Sequence, residues 1–167
     1  MIHTYESIRP LLKTGDIVGV RENKSWIHVA TKVFTGSRYT HVGIIVVNST
    51  GVYLAELNGG RNHLIPLSQL KNKRFDIYEC PKECLDKIEE SINEQLREEI
   101  HYSYLAFLFI GIMDLFNVTF KVPLKNDQVC SSFVAKCLNN AGLKNKIVMM
   151  ISPGDLLEKF KFSYRVN

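Results

Sequence analysis

Cys130 stands where the polar run Lys125, Asn126, Asp127 and Gln128 gives way to a helical apolar pattern, and His41 and Glu56 lie far upstream on two candidate strands. A cysteine attacks as its thiolate, and a helix N-terminus beside an imidazole brings a thiol into the working range. A carboxylate behind the imidazole fixes its tautomer and stabilises the imidazolium. These residue types in this order suggest a cysteine nucleophile, Cys130, with His41 as base and Glu56 as orienting acid. Taken singly, each has a plainer use: cysteines often fill cores, and a half-buried histidine can bond to backbone.

The elements that must position them are legible. Residues 41–47 and 52–57 are β-branched or apolar runs flanking Asn48, Ser49, Thr50 and Gly51, which is hairpin chemistry. A two-residue loop at Ser49 and Thr50, or a four-residue loop over 48–51, gives one register. Val47 then faces Val52, Ile45 faces Leu54, Gly43 faces Glu56 and His41 faces Asn58. Strand side chains alternate, so His41, Gly43, Glu56 and Asn58 share a face. Glu56 becomes a diagonal neighbour of His41, at a Cα separation of roughly 7–8 Å, and Gly43 leaves the room. Asn58 competes for the orienting role; Glu56 ranks ahead because a charge stabilises imidazolium better than a neutral amide.

The Cys130 helix carries Phe133, Val134, Cys137, Leu138 and Ala141 on its apolar side, with Gly142 as its stop. At 100° per residue Cys130 lies about 40° from Val134, so its sulfur faces inward. Cys137, deeper in the helix and away from its positive end, is predicted to be buried and inert. Ser131 and Ser132 are weaker nucleophile candidates, having no Gly-x-Ser-x-Gly turn. Ser131 and Tyr102 are kept as candidate cleft residues. Asp16 is assigned to a turn, His3 to a mobile terminus, and His28, His63 and His101 show no pairing signal.

Elsewhere the pattern predicts a short helix over 5–13, a strand over 17–21, and a helix over 26–34 stopped by Gly36. An edge segment over 64–67 contains Pro66, which cannot donate to a central ladder. Then follow a strand over 75–80, an amphipathic helix from Leu85 through Ile100, and an apolar helix over 104–116. A turn over 152–155, a short helix and a strand over 161–166 close the chain. This is one α+β domain, residues 1–167, with an antiparallel sheet packed against the nucleophile helix.

The net charge of +4 comes from scattered basic residues, so no nucleic-acid partner is expected, although weak attraction to an anionic membrane surface is allowed. No basic segment followed by an apolar run opens the chain, which predicts a cytoplasmic protein. The apolar stretch 104–113 falls short of the ~18 residues of a spanning helix. The four cysteines are read as thiols, and neither Cys80 with Cys84 nor Cys130 with Cys137 has zinc-knuckle spacing. No metal and no cofactor are expected.

Gly15-Asp16-Ile17-Val18, Tyr39-Thr40-His41-Val42-Gly43-Ile44, Leu54-Ala55-Glu56 and Val129-Cys130-Ser131-Ser132-Phe133-Val134 together resemble the YiiX-like permuted NlpC-type papain-fold family. The resemblance spans residues 15 to about 156. It implies a circularly permuted papain-like domain in which the histidine and acid strands precede the cysteine helix. Carried over, Cys130, His41 and Glu56 look like nucleophile, base and third member, and Tyr102 like a cleft tyrosine. Ser132 stands where the related pattern often has an acidic residue. The implied activity is hydrolysis of an amide in a small peptide or cell-wall fragment, or of an ester. Lipid acyl transfer or phospholipase action, as in the lecithin retinol acyltransferase-like relatives, is the alternative, and an inactive peptide- or lipid-binding module is another.

Overall fold

The computed structural model describes residues 2–21, 37–58, 60–98, 101–102, 127–149 and 151–167. In chain order the elements are β1 (Ile2–His3), α1 (Tyr5–Ile8), β2 (Ile17–Val20), β3 (His41–Asn48), β4 (Gly51–Asn58), β5 (Arg61–Pro66), β6 (Phe75–Tyr78), α2 (Ile88–Arg97), β7 (His101–Tyr102), β8 (Asp127–Gln128), α3 (Cys130–Asn140), α4 (Pro153–Leu157) and β9 (Phe162–Val166). Short 3-10 turns fall at Arg9–Leu11, Leu67–Leu70 and Lys82–Cys84.

The main sheet has seven strands in the order β1-β9-β6-β2-β3-β4-β5. It is antiparallel except at one edge, where β1 runs parallel to β9, so the all-antiparallel expectation is corrected there. The β3–β4 hairpin has the predicted register, Val47 opposite Val52 and Ile45 opposite Leu54. Asn48 pairs with Gly51, which selects the two-residue loop. β5 is an edge strand ending at Pro66, consistent with proline's missing donor. It begins earlier than residue 64, because a second tight hairpin joins Asn58 to Arg61 through Gly60 at φ 84°.

Alternation along the strands produces two apolar faces. Val42, Ile44, Ala55 and Leu57 pack with Phe133, Val134 and Leu138 of α3, with α2 and α4 beside them. Val18, Val20, Ile45 and Leu54 pack on the opposite face against Ile8, Leu67 and Leu70. The sheet is therefore covered on both sides, and the Cys130-bearing helix lies on one of them.

Several boundaries differ from the sequence pattern for local reasons. The helix expected over 5–13 tightens into a 3-10 turn at Arg9–Leu11, where Pro10 offers no N–H. The turn expected over 152–155 is the start of α4: Ser152 is its N-cap, accepting from the Asp155 N–H at 3.2 Å. His3 is not a terminus without structure; it lies in β1 with its ring edge-on to Tyr164, 5.5 Å between centroids. Asp16 shapes its turn as expected, accepting from the Lys13 N–H at 2.9 Å. The helices predicted over 26–34 and 104–116 lie outside the described residues.

One buried charge ties the approach to His41 into the sheet. Asp76 on β6 has no exposed surface and accepts from the Tyr39 hydroxyl at 2.6 Å, while the Tyr39 and Tyr78 hydroxyls are 2.6 Å apart. Arg21 and Arg165 reach the same carboxylate at 3.1 and 3.2 Å. Gly19, opposite Asp76, makes this possible: a Cβ there would lie 2.8 Å from the Tyr39 ring. Removing one partner of a buried ion pair costs about 3–5 kcal/mol. Both arginines reach solvent, so Asp76→Ala should cost about 3 kcal/mol, lowering Tm by roughly 6–12 °C for a chain of this size. Differential scanning calorimetry checks this, and a drop of under about 2 °C would remove the network from the fold's supports.

Candidate active site

The first turn of α3 is held from both sides. Val129, extended at φ −121° and ψ 169°, is the N-cap, and its N–H donates to Ser132 Oγ at 2.7 Å. The Ser132 hydroxyl in turn donates to the Val129 carbonyl at 2.8 Å. This is the reach-back of a capping box made by a serine, so Ser132, which is buried, secures the helix start. The Ser131 hydroxyl, also buried, donates to the Ile151 carbonyl at 2.5 Å and pins the same turn to the chain before α4. Cys130 is thus the first helical residue, at the positive end of a helix 11 residues long.

The sheet opens where this sulfur arrives. β3 keeps pairing with β2 down to His41 opposite Val20, and β4 keeps pairing with β5 to Asn58 opposite Arg61. Between β3 and β4 themselves the ladder ends at Ile44 opposite Ala55. Backbone groups of successive strand residues point to opposite neighbours, and those of Ile45 go to Asp16 and Gly15 on the β2 side. The Val42 N–H therefore points toward β4, past the end of the ladder, and its hydrogen bond goes to the Cys130 sulfur. The Ser131 N–H adds a second backbone donor.

This placement lets a residue on the helix side of the sheet touch residues on the other side. Val42 and Leu57 face α3, so by alternation His41 and Glu56 face away from it. The His41 side chain nonetheless meets the sulfur at the open end of the β3–β4 pair, with Glu56 behind it. His41 hydrogen-bonds to Cys130, and its Nε2 lies 2.8 Å from Glu56 Oε2. With Nε2 engaged by the carboxylate, Nδ1 is the ring nitrogen left for the thiol.

Charges in this row support one another. Burial alone would push the Cys130 thiol up, but the His41 imidazolium, its hydrogen bond and the two backbone N–H groups outweigh burial and lower it. Burial alone would likewise lower His41; the Cys130 thiolate and the hydrogen bonds to Cys130 and Glu56 raise it to about 10. Glu56, which burial would raise, is held below the usual carboxylate range by His41 and by Asn58. All three shifts run in one direction, toward a thiolate beside an imidazolium backed by an ionised carboxylate.

Cys130, His41 and Glu56 are therefore brought together as the sequence predicted. Asn58 is not the imidazole's partner: its Nδ2 donates to Glu56 Oε1 at 3.2 Å, so it braces the acid. Ser131 is not a cleft side chain, since its hydroxyl is spent on Ile151, and its contribution to the sulfur is its N–H. Tyr102 lies in β7, paired with Gln128 of β8 directly before α3. Gly43 does not make room for the acid; a Cβ there would sit 2.7 Å from Leu54 Cδ1 and 2.8 Å from the Ala55 carbonyl. Cys137 is fully buried, and burial pushes its thiol up, as expected for an inert neighbour.

Sequence reasoning missed His63, which stands directly opposite Glu56 on β5 and donates from Nε2 to the Asn58 carbonyl at 2.7 Å. The signal was the Gly59-Gly60 pair, which fixes a two-residue hairpin and hence the β4–β5 register. Among the described residues no group of three or more His, Cys, Asp or Glu is placed to hold a metal ion, and no helix is long and apolar enough to cross a membrane.

No family model matches the sequence, and no curated protein matches it. Among solved structures, the chain is similar to the metalloprotein YiiX from Escherichia coli O157:H7, with a TM-score of 0.59 and 21% identity over 81% of this chain and 68% of that one. At that identity the likeness speaks to architecture. The chain has a YiiX-like mixed α+β fold, a seven-stranded sheet with the Cys130 helix on one face.

Proposed function

We propose that the protein is a cysteine hydrolase of the permuted papain-like, NlpC-type kind, cleaving an amide or ester through an acyl-enzyme on Cys130. The observation that carries this reading is the row Cys130, His41, Glu56, with a lowered thiol at a helix start and an imidazole held 2.8 Å from its carboxylate. In the first step the thiolate attacks the carbonyl carbon and forms a C–S bond. Backbone N–H groups of the first turn of α3 stabilise the oxyanion. The His41 imidazolium gives its proton to the departing nitrogen or oxygen as that bond breaks. Water, deprotonated by His41, then hydrolyses the thioester and frees Cys130.

YiiX is a metalloprotein, so a metal at this site has to be considered. The described residues do not fit one: the two ring nitrogens of His41 are spent on Cys130 and Glu56, and no third ligand joins them. No step runs through a metal. An inactive binding module would have no use for the charge arrangement, because a packing cysteine keeps its proton, as Cys137 does. Lipid acyl transfer draws on the apolar stretch 104–113, which lies outside the described residues.

Cys130→Ala should abolish covalent labelling by an electrophilic acyl probe, and Cys80, Cys84 and Cys137 should not substitute, since burial pushes each of them up. Equal labelling of wild type and variant by mass spectrometry would remove Cys130 as nucleophile. Turnover of short peptides without turnover of liposomal phospholipid favours the amidase, and the reverse favours the lipid enzyme.

The charge row also sets a pH profile. Below the lowered Cys130 pKa the thiol is protonated and alkylation falls; above it the thiolate persists, so the midpoint of iodoacetamide alkylation should lie below the ~8.5 of an ordinary thiol. Turnover should fall again as pH rises through about 10, where His41 loses the proton it donates. Glu56→Gln removes the charge behind the imidazolium. It should move the alkylation midpoint up by about one pH unit, a tenfold loss of rate on the acid side. An unchanged midpoint in stopped-flow alkylation would take Glu56 out of the row.

A further inference from the structure

Between α3 and α4 the chain over 143–149 has neither helix nor strand, and side chains of α3 pin this connection at two points. The Asn139 amide brackets Ile147, donating to its carbonyl and accepting from its N–H, both at 2.8 Å. Ser131 donates to the Ile151 carbonyl at the other end. Ile147 and Ile151 turn inward, at 5% and 7% exposure, whereas Val148 and Met149 between them stand out at 59% and 43%. Among the described residues no other exposed large apolar side chains are neighbours in sequence. The two pins hold this pair outward, so its exposure belongs to the fold.

A cleft of about 550 Å³ opens beside the pair, walled by Leu143, Ile147 and Phe160 and reaching the exposed Val148. Lys146 and Lys159 line it too, both exposed, and among the described residues neither has an ion-pair partner. Glu83 is the only acid among the described lining residues, so the cleft carries a net positive charge.

We propose that this face docks on an anionic phospholipid surface, with Val148 and Met149 entering the interfacial layer and the Lys146 and Lys159 ammonium groups meeting lipid phosphates. Exposed apolar side chains flanked by lysines have the composition of an interfacial anchor. A lysine lays its methylenes along apolar surface and keeps its ammonium at the headgroups, where each positive charge adds to the attraction. A protein partner fits less well. Two apolar side chains fall far short of the ~800 Å² that a stable interface buries on each partner, and lysine is depleted in such interfaces. The net charge of +4 allows attraction to an anionic surface but gives it no direction; the pinned apolar pair and its two lysines supply one. The docking is independent of the chemistry at Cys130.

Co-sedimentation of the full chain with lipid vesicles tests this. Vesicles of equimolar phosphatidylcholine and phosphatidylglycerol should bind it at least about tenfold more tightly than phosphatidylcholine alone. Lys146→Gln combined with Lys159→Gln should lower the partition coefficient on the anionic vesicles by about thirtyfold, the effect of two lysines at the surface. Arg9→Gln combined with Lys13→Gln removes the same charge from exposed positions beside α1, whose Ile8 packs on the opposite face of the sheet. Beyond a Debye length from the docked face, that pair should lower binding by less than about threefold. Val148→Asp should lower it by about tenfold, and Val148→Leu should keep it at the wild-type level. An equal loss from the two charge pairs would leave only net charge at work and overturn the proposal. So would equal binding to the two kinds of vesicle, or undiminished binding by Val148→Asp.

Discussion

The arrangement depends on a gap. β3 and β4 stop pairing after Ile44 and Ala55 while each keeps its outer neighbour, so the sheet parts locally without losing its edges. A strand N–H left at the end of a ladder needs an acceptor, because an unmade buried hydrogen bond costs about 1–3 kcal/mol. The Val42 N–H finds the Cys130 sulfur. That contact satisfies the backbone, favours the thiolate and brings a helix-side residue to the plane of the sheet, where it reaches an imidazole on the other face.

Around the gap, rigidity is supplied by unrelated means. Ser132 and Ser131 fix the helix start through the Val129 and Ile151 backbone. Tyr39, locked by Asp76 and Tyr78, fixes the chain two residues before His41. Asn58 holds Glu56 by a hydrogen bond from the β4–β5 hairpin, and His63, opposite Glu56 on β5, bonds to the Asn58 carbonyl. Each member of the row is thus positioned by a separate element, and the three meet because those elements pack on one sheet. Sites built this way hold their geometry better than sites carried on loops.

How much of this could be read beforehand varies with the range of the interaction. The β3–β4 register followed from a turn and an alternating pattern, so the shared face of His41, Gly43, Glu56 and Asn58 was legible. The division of labour on that face was not. Asn58, which an unbroken register would set opposite His41, lies past the end of the β3–β4 ladder and donates to Glu56, and Gly43 serves Leu54 packing instead of the acid. His63 gains its place opposite Glu56 only through the hairpin that pairs Asn58 with Arg61, so no pattern around His63 itself marks it. The Asp76 network was invisible for a stronger reason: its partners come from β2, the approach to β3, β6 and β9, which only folding brings together.

By itself the sequence determined the local facts: a thiol at the head of an amphipathic helix, a histidine and a glutamate on one hairpin, and an inert second thiol deeper in the helix. Periodicity and turn chemistry suffice there, because they act over a few residues. Tertiary structure alone decided that α3 packs on the face opposite His41 and Glu56, and that the sulfur reaches them through the opening in the ladder. It also decided the direction of the pKa shifts, since a thiolate, an imidazolium and a carboxylate favour one another only once distant segments bring them together.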